Sequence, residues 1–127
     1  LLRNKYLEFI CKNVFIKLNN KQNPFFKNLD KDIFEFHIAH NEGNYFCTKD
    51  QLKEIEDNNQ IAIYYCDIEG KTDEQFNPNG SIKNIAGIFN KEKNVLGMMP
   101  HPERMIDQSL SGEDGSLFFK NLINNMK

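Results

Sequence analysis

Two side chains that work together in acyl transfer stand two residues apart in this chain: His101 and Glu103, within Met99-Pro100-His101-Pro102-Glu103-Arg104. Proline fixes its own φ at about −65° and pushes the residue before it out of the helical region, so Met99 and His101 are both predicted to be extended. In extended backbone, positions i and i+2 project to one side, which sets the imidazole beside the carboxylate with little entropy left to lose when they pair. An imidazole whose second nitrogen is oriented by a carboxylate is the base that activates a serine or cysteine nucleophile. A solvated His-Pro turn fits the same three residues, and it is the flanking residues that favour the pair.

The nucleophile is harder to find. On a strand-to-helix elbow it needs glycines beside it to make the sharp turn. Cys11, Cys47 and Cys66 lie in Ile-Cys-Lys, Phe-Cys-Thr and Tyr-Cys-Asp, without a flanking glycine, and each reads as a strand or strand-edge residue. A base and its orienter are therefore present without a nucleophile. His37, His40 and Cys47 offer metal-ligating atoms, but their spacing matches no structural zinc signature, and core or loop histidines are the simpler reading.

Two loops have binding chemistry. His40-Asn41-Glu42-Gly43-Asn44-Tyr45 follows a predicted strand. Gly43 lets its backbone approach a small ligand, with Glu42 and Asn44 as polar contacts, although a turn with one required glycine accounts for the same residues. Asn77-Pro78-Asn79-Gly80-Ser81 reads first as a tight turn and second as a binding loop.

The elements that must position these groups are mostly strands. Residues 7–18 read as one long or bent strand, and residues 33–39 as a second with Phe34, Phe36 and Ile38 on one face. Residues 61–66 form a third. Residues 82–89 form a fourth, broken by Gly87. Residues 95–99 read as a buried strand with both faces covered, where Gly97 allows another backbone or a ligand to come close. Thr48 caps a helix with Gln51 at its third position, Leu52 and Ile55 follow on a helical period, and Asn58-Asn59 ends it. Ser111-Gly112-Glu113-Asp114 leads into a second helix with Phe118, Phe119, Leu122, Ile123 and Met126 as one apolar stripe. The polar stretch 67–80 is long enough to be either functional or disordered. With about five strands to two helices, a helix layer of an α/β fold is expected to be missing.

Composition narrows the function classes. The chain has 127 residues, 39% hydrophobic and 27% charged, the make-up of one ordinary domain, and its 11 Phe can fill a core of that size. A net charge of −2 with scattered basic residues gives no footprint for nucleic acid or an anionic membrane. No apolar run approaches the roughly 18 residues of a membrane span, and no leader follows Leu1-Leu2-Arg3, so a cytoplasmic protein is expected. Three unpatterned cysteines suit reduced thiols. A chain that opens on leucine reads as a piece of a longer polypeptide.

Taken together, residues 40–45, Asn77-Pro78-Asn79-Gly80-Ser81, Asn84-Ile85-Ala86-Gly87-Ile88 and the run Asn94-Val95-Leu96-Gly97-Met98-Met99-Pro100-His101-Pro102-Glu103-Arg104 resemble the glutaminase subunits of phosphoribosylformylglycinamidine synthase, in order and in approximate spacing. Leu2-Arg3-Asn4 and Phe9-Ile10-Cys11 resemble that family's segment shortly after its nucleophile elbow. The resemblance spans the whole chain. It implies a class I glutamine amidotransferase domain of flavodoxin-like α/β type, of which residues 1–127 are the incomplete C-terminal portion, with the elbow cysteine upstream.

In the family a cysteine attacks the side-chain amide of L-glutamine. The match carries the base onto His101 and the orienting carboxylate onto Glu103. The loop with His40, Glu42, Gly43 and Asn44 is carried, as a glutamine-binding segment, onto the neighbourhood of the substrate's α-amino and α-carboxylate groups. The ammonia released passes to a synthetase subunit, which uses ATP and Mg²⁺ to convert formylglycinamide ribonucleotide to its amidine in purine biosynthesis, beside a small accessory subunit. No cofactor or metal is implied in this chain. Asn41 stands where the family usually has glycine, and asparagine tolerates a positive φ best among the other residues. Residues 77–81 are expected to face the synthetase. The alternative is a non-catalytic binding module that kept the fold and lost the chemistry; an unrelated hydrolase using Cys47 or Cys66 fails on the elbow argument. The chain alone is expected to be inactive and prone to aggregate.

Overall fold

The structure, a computed structural model, describes residues 1–125. Five strands, β1 (Ile10–Leu18), β2 (Ile33–His40), β3 (Ile61–Cys66), β4 (Ile85–Phe89) and β5 (Leu96–Met98), form one sheet in the order β2-β1-β3-β4-β5. Every neighbouring pair is antiparallel. Two helices accompany it, α1 (Lys49–Asp57) and α2 (Asp114–Asn125). No described helix is long and apolar enough to cross a membrane.

The sheet curls. Met99 donates its N–H to the carbonyl of Ala86 at 2.9 Å, and two residues later the His101 N–H reaches the carbonyl of His37 at 2.8 Å. The segment leaving one edge strand thus pairs with the other edge strand through the His37–His101 bridge. Right-handed strand twist, accumulated over five strands, is what brings two edges this close.

Inside the curl lies the main core. Phe34, Phe36 and Ile38 alternate inward from β2, opposite Val14 and Ile16 of β1, as the register Val14↔Phe36 and Ile16↔Phe34 requires. Phe118 of α2 closes it, with its ring centroid 6.0 Å from Phe36 and 6.3 Å from Phe26. A smaller cluster of Cys47, Leu52, Ile61 and Ile85 fills the opposite face under α1. The central strand β3 is consequently covered on both faces, and α1 supplies the cover on the second, so this strand does not lack the helix that its apolar sequence demands. Its register against β4 shifts between Ile61, Ile63 and Tyr64, so a strict period of two is broken there.

Several sequence expectations are met closely: α1 begins at a Thr48–Gln51 capping box and ends at Asn58, and β3 spans Ile61–Cys66. Others are corrected. β1 starts at Ile10 because Leu7 takes a φ of 58°. Residues 82–84 are a 3₁₀ turn, with Lys83 and Asn84 at φ of 48° and 58°, and β4 begins only at Ile85. β5 is an edge strand with no fully buried residue, and Val95 before it is 59% exposed. An added Cβ at Gly97 would meet nothing nearer than the Ile88 carbonyl at 3.9 Å; the close approach belongs to Gly87, whose Cβ would stand 2.8 Å from Ile63 Cγ1 and 2.9 Å from the Gly97 carbonyl. In α2 the buried side is Gly115, Phe118 and Asn121, while Ile123 is exposed. Met126, the last residue of the expected stripe, lies outside the described residues.

Candidate active site

His101 is extended at φ −105° and ψ 88°, as its position before Pro102 requires, and Pro102–Arg104 then make one 3₁₀ turn. Across that turn His101 Nδ1 lies 2.6 Å from Glu103 Oε1, a charge-assisted contact of a kind that fixes the imidazole with its N–H on Nδ1 and leaves Nε2 for other work. Partial burial of Glu103 works against its charge, but its own backbone N–H, the His101 ring and Arg104 outweigh that, and the carboxyl sits below its usual range. The turn is held from behind. Gly115, at the start of α2, donates its N–H to the Met105 carbonyl at 2.8 Å and packs so tightly that a Cβ there would stand 1.7 Å from the Pro102 carbonyl oxygen.

The second imidazole at the site is His40. It ends β2 and continues the inward alternation of Phe34, Phe36 and Ile38, so its ring is buried and faces His101. The Nε2 atoms of the two rings are 3.1 Å apart. Burial first, then the neighbouring His101, hold His40 below the ordinary imidazole range, with a hydrogen bond to the Met99 carbonyl acting the other way and Arg104 and His37 adding smaller amounts to the depression. Its Nδ1 is buried without a hydrogen-bond partner.

Beyond His40 the chain turns through residues 41–45, and Asn4 clamps that turn. The Asn4 side chain is buried, donates from Nδ2 to the carbonyls of His40 and Glu8 at 2.7 Å each, and accepts the Gly43 N–H at 2.9 Å. Leu2 and Asn44 exchange backbone bonds of 2.8 and 3.2 Å alongside. Glu42 is exposed at the tip, and Asn44 is half-buried. Neither Asn41 nor Gly43 adopts a positive φ. What requires glycine at 43 is space: a Cβ there would stand 2.5 Å from Asn79 Nδ2.

That contact revises the role expected for residues 77–81. Asn77 Oδ1 accepts the N–H groups of Gly80 and Ser81 at 2.9 and 3.1 Å, and Gly80 takes a φ of 81°, so the tight turn is real. Three of its five residues are turned inward. Pro78, Asn79 and Ser81 are buried; Asn79 bonds the Tyr65 hydroxyl at 3.1 Å, and Ser81 Oγ links the Gly43 carbonyl to the Tyr45 N–H. The turn buttresses the 40–45 loop, with Asn77 and Gly80 partly exposed. The preceding stretch is likewise ordered, by Asp67 Oδ1 accepting two backbone N–H groups and by Asn84 Nδ2 donating to the carbonyls of Thr72 and Asp73.

The sequence pointed to His101, Glu103 and the loop from His40, and the structure brings the first, the second and His40 into one chain of contacts. It missed Asn4, whose buried clamp shows only in three dimensions, and Gly115. A further pair also went unnoticed: on the outer face of β1 and β2, Cys11 Sγ lies 3.4 Å from His37 Nε2, and His37 Nδ1 lies 2.9 Å from Asn13 Oδ1. Cys47 and Cys66 are buried, and burial pushes the Cys66 thiol up to about 11. Among the described residues no group of three His, Cys, Asp or Glu side chains is placed to hold a metal ion.

The chain is 75% identical over all 127 residues to phosphoribosylformylglycinamidine synthase subunit PurQ of Pelagibacter ubique, covering 56% of that protein. It is 43% identical over 124 residues to the subunit of the same name from Aquifex aeolicus, covering 97% of this chain and 55% of that one. It thus spans about half the length of these curated relatives. Among solved structures, that of PurLQS from Thermotoga maritima superposes with a TM-score of 0.78 and 32% identity, over 100% of this chain and 52% of that one. The fold class is accordingly the α/β class of a glutamine amidotransferase domain, here represented by its antiparallel sheet and two helices. A model of the CobB/CobQ-like glutamine amidotransferase domain matches residues 1–113, and with a paired histidine and glutamate on the turn after the last strand the chain belongs to that family.

Proposed function

We propose that residues 1–127 carry the base side of a glutaminase site, in the glutamine-hydrolysing subunit of a phosphoribosylformylglycinamidine synthase. The observation that carries this reading is the 2.6 Å contact between His101 Nδ1 and Glu103 Oε1, formed on a chain so similar to subunits of that name. In this reading His101 Nε2 takes the proton of a cysteine thiol supplied by the part of the full-length protein outside residues 1–127. The thiolate sulfur bonds to the amide carbon of glutamine, and the tetrahedral adduct expels ammonia as His101 returns the proton to the leaving nitrogen. Water then adds to the thioester with His101 again as base, releasing glutamate and the thiol. Glu103 keeps the ring in the productive tautomer and stabilises the imidazolium without itself taking the proton. Residues 40–45, with Gly43 backed by Asn79 and Glu42 exposed at the tip, form the wall against which the amino-acid end of glutamine would rest.

The ammonia would serve a synthetase subunit that uses ATP with Mg²⁺ to amidate formylglycinamide ribonucleotide, in the cytoplasm, in a complex with a small accessory subunit. The similar Thermotoga maritima structure is of PurLQS, a name that sets PurQ beside two further components. The test is glutamate release from L-glutamine by the full-length subunit assembled with its synthetase partner. Turnover coupled to ATP-dependent amidation supports the reading. Glutamine binding without glutamate release makes the chain a binding module.

A further inference from the structure

Resting on that reading of the site, we propose that His40 positions the base by donating its Nε2–H to the Nε2 lone pair of His101, so that His40, His101 and Glu103 form one hydrogen-bonded chain. The geometry leaves few arrangements. Glu103 occupies Nδ1 of His101, and a neutral imidazole protonated there offers only a lone pair at Nε2. The group 3.1 Å from that lone pair is His40 Nε2, and two lone pairs do not attract; one proton must lie between the rings. His40 supplies it. On Nε2 the proton of a neutral His40 meets the His101 lone pair and leaves at Nδ1 an unpaired acceptor, the less costly orphan; the competing acceptor for a His40 ring N–H is the Met99 carbonyl.

His40 is built to stay in place. Its carbonyl is held by Asn4 at 2.7 Å, and three residues earlier the His37 carbonyl holds the backbone of His101 itself at 2.8 Å, so both rings hang from one short stretch of β2. The charged and titratable groups around the pair are His37 on β2, Glu103 and Arg104 on the turn, and Cys11 across from His37 on β1. Asp114, at the start of the helix packed behind, is turned away to Lys31 and the Glu35 N–H. A donor to the lone pair of His101 hydrogen-bonds the neutral ring, the form able to accept a proton, and losing that donor disfavours that form. It also fixes the ring plane before the thiol engages, when His40 must yield the lone pair to it.

The experiment is the pH profile of kcat/KM for glutamine, measured on the full-length subunit assembled with its synthetase partner, for His40→Phe and His40→Gln. Phenylalanine keeps the ring volume and loses the donor; glutamine keeps a donor amide at similar reach. The acid limb is expected to move to higher pH by about one unit in His40→Phe and to return toward the parent in His40→Gln, since a hydrogen bond to one protonation state is worth roughly that shift. A rise in KM with the limb unmoved would make His40 a glutamine contact only and overturn the proposal, as would equal shifts in both variants. Nitrogen-15 spectra of histidine-labelled parent subunit give an answer that needs neither turnover nor a folded variant: His40 protonated at Nε2 supports the chain, and His40 protonated at Nδ1 overturns it. Absence of any glutaminase turnover in the parent would instead defeat the functional reading.

Discussion

Asn79 stands where a side chain on Gly43 would be: a Cβ at 43 would lie 2.5 Å from its Nδ2 and 2.6 Å from its Cγ. Asn79 is fully buried and tied to Tyr65, so it has no open direction in which to withdraw. Gly43→Ala is therefore expected to destabilise the protein by about 1–3 kcal/mol and to weaken glutamine binding by displacing the 40–45 loop. Combining Gly43→Ala with Asn79→Ala should recover part of the loss, a coupling readable as a double-mutant cycle by denaturant unfolding. Additive losses would show that the two residues do not meet.

Gly115 and Pro102 make a similar contact beneath the 3₁₀ turn that follows His101. With the Pro102 carbonyl 1.7 Å from an added Cβ, Gly115→Ala must push α2 off the turn or the turn off α2, and that turn carries Glu103. Glutamine-dependent turnover of the assembled enzyme is expected to fall at least about tenfold, since displacements near 1 Å in a positioning element are costly to proximity. Wild-type turnover at unchanged stability would mean that the turn is held by other contacts.

Alkaline pH should loosen the centre of the sheet. Burial raises the Cys66 thiol from its ordinary 9.0 to about 11, and the adjacent Tyr65 hydroxyl is also pushed up by burial. A group whose folded pKa lies above its unfolded one contributes stability that is whole below the unfolded value and lost as pH rises through the folded value. Unfolding free energy of the full-length subunit should thus decline between pH 9 and pH 11, and less steeply in Cys66→Val. An equal slope in the variant would remove Cys66 from the effect.

Glu103→Gln keeps the shape of the orienting group and loses the charge that opposes the imidazolium. It should cost less glutamine-dependent turnover than loss of His101 and leave the fold unchanged, because the carboxylate is more than half exposed. Activity equal to the parent would take Glu103 out of the mechanism.

The parts of the site that the sequence disclosed are those governed by local backbone rules. Prolines at 100 and 102 force the extended geometry that sets His101 against Glu103, and Thr48 with Gln51 caps α1 through bonds three residues apart. Position 40 was within reach too: extending the period of two from Phe34, Phe36 and Ile38 by one step places His40 on the buried face, whereas ending the strand at Ala39 hides this. Contacts between distant segments were not legible. Asn4 reaches His40 and Gly43 across 36 and 39 residues, Asn79 backs Gly43, and Gly115 meets Pro102, and no local pattern marks any of them. The apolar run before His101 misled in the opposite way: Val95, Leu96, Met98 and Met99 have the composition of a covered strand, but among the described residues β5 lies at the edge of the sheet beside β4, and an edge leaves them partly exposed.

The most direct measurement is the ratio of glutamine-dependent to ammonium-dependent amidation by the assembled enzyme carrying His101→Ala. Loss of a positioned general base should lower the glutamine reaction by roughly 10² to 10⁴, while free ammonium, which needs no amide hydrolysis, should support amidation at the parental rate. Equal loss of both reactions would make His101 a structural residue, and an unchanged glutamine reaction would contradict its assignment as the base.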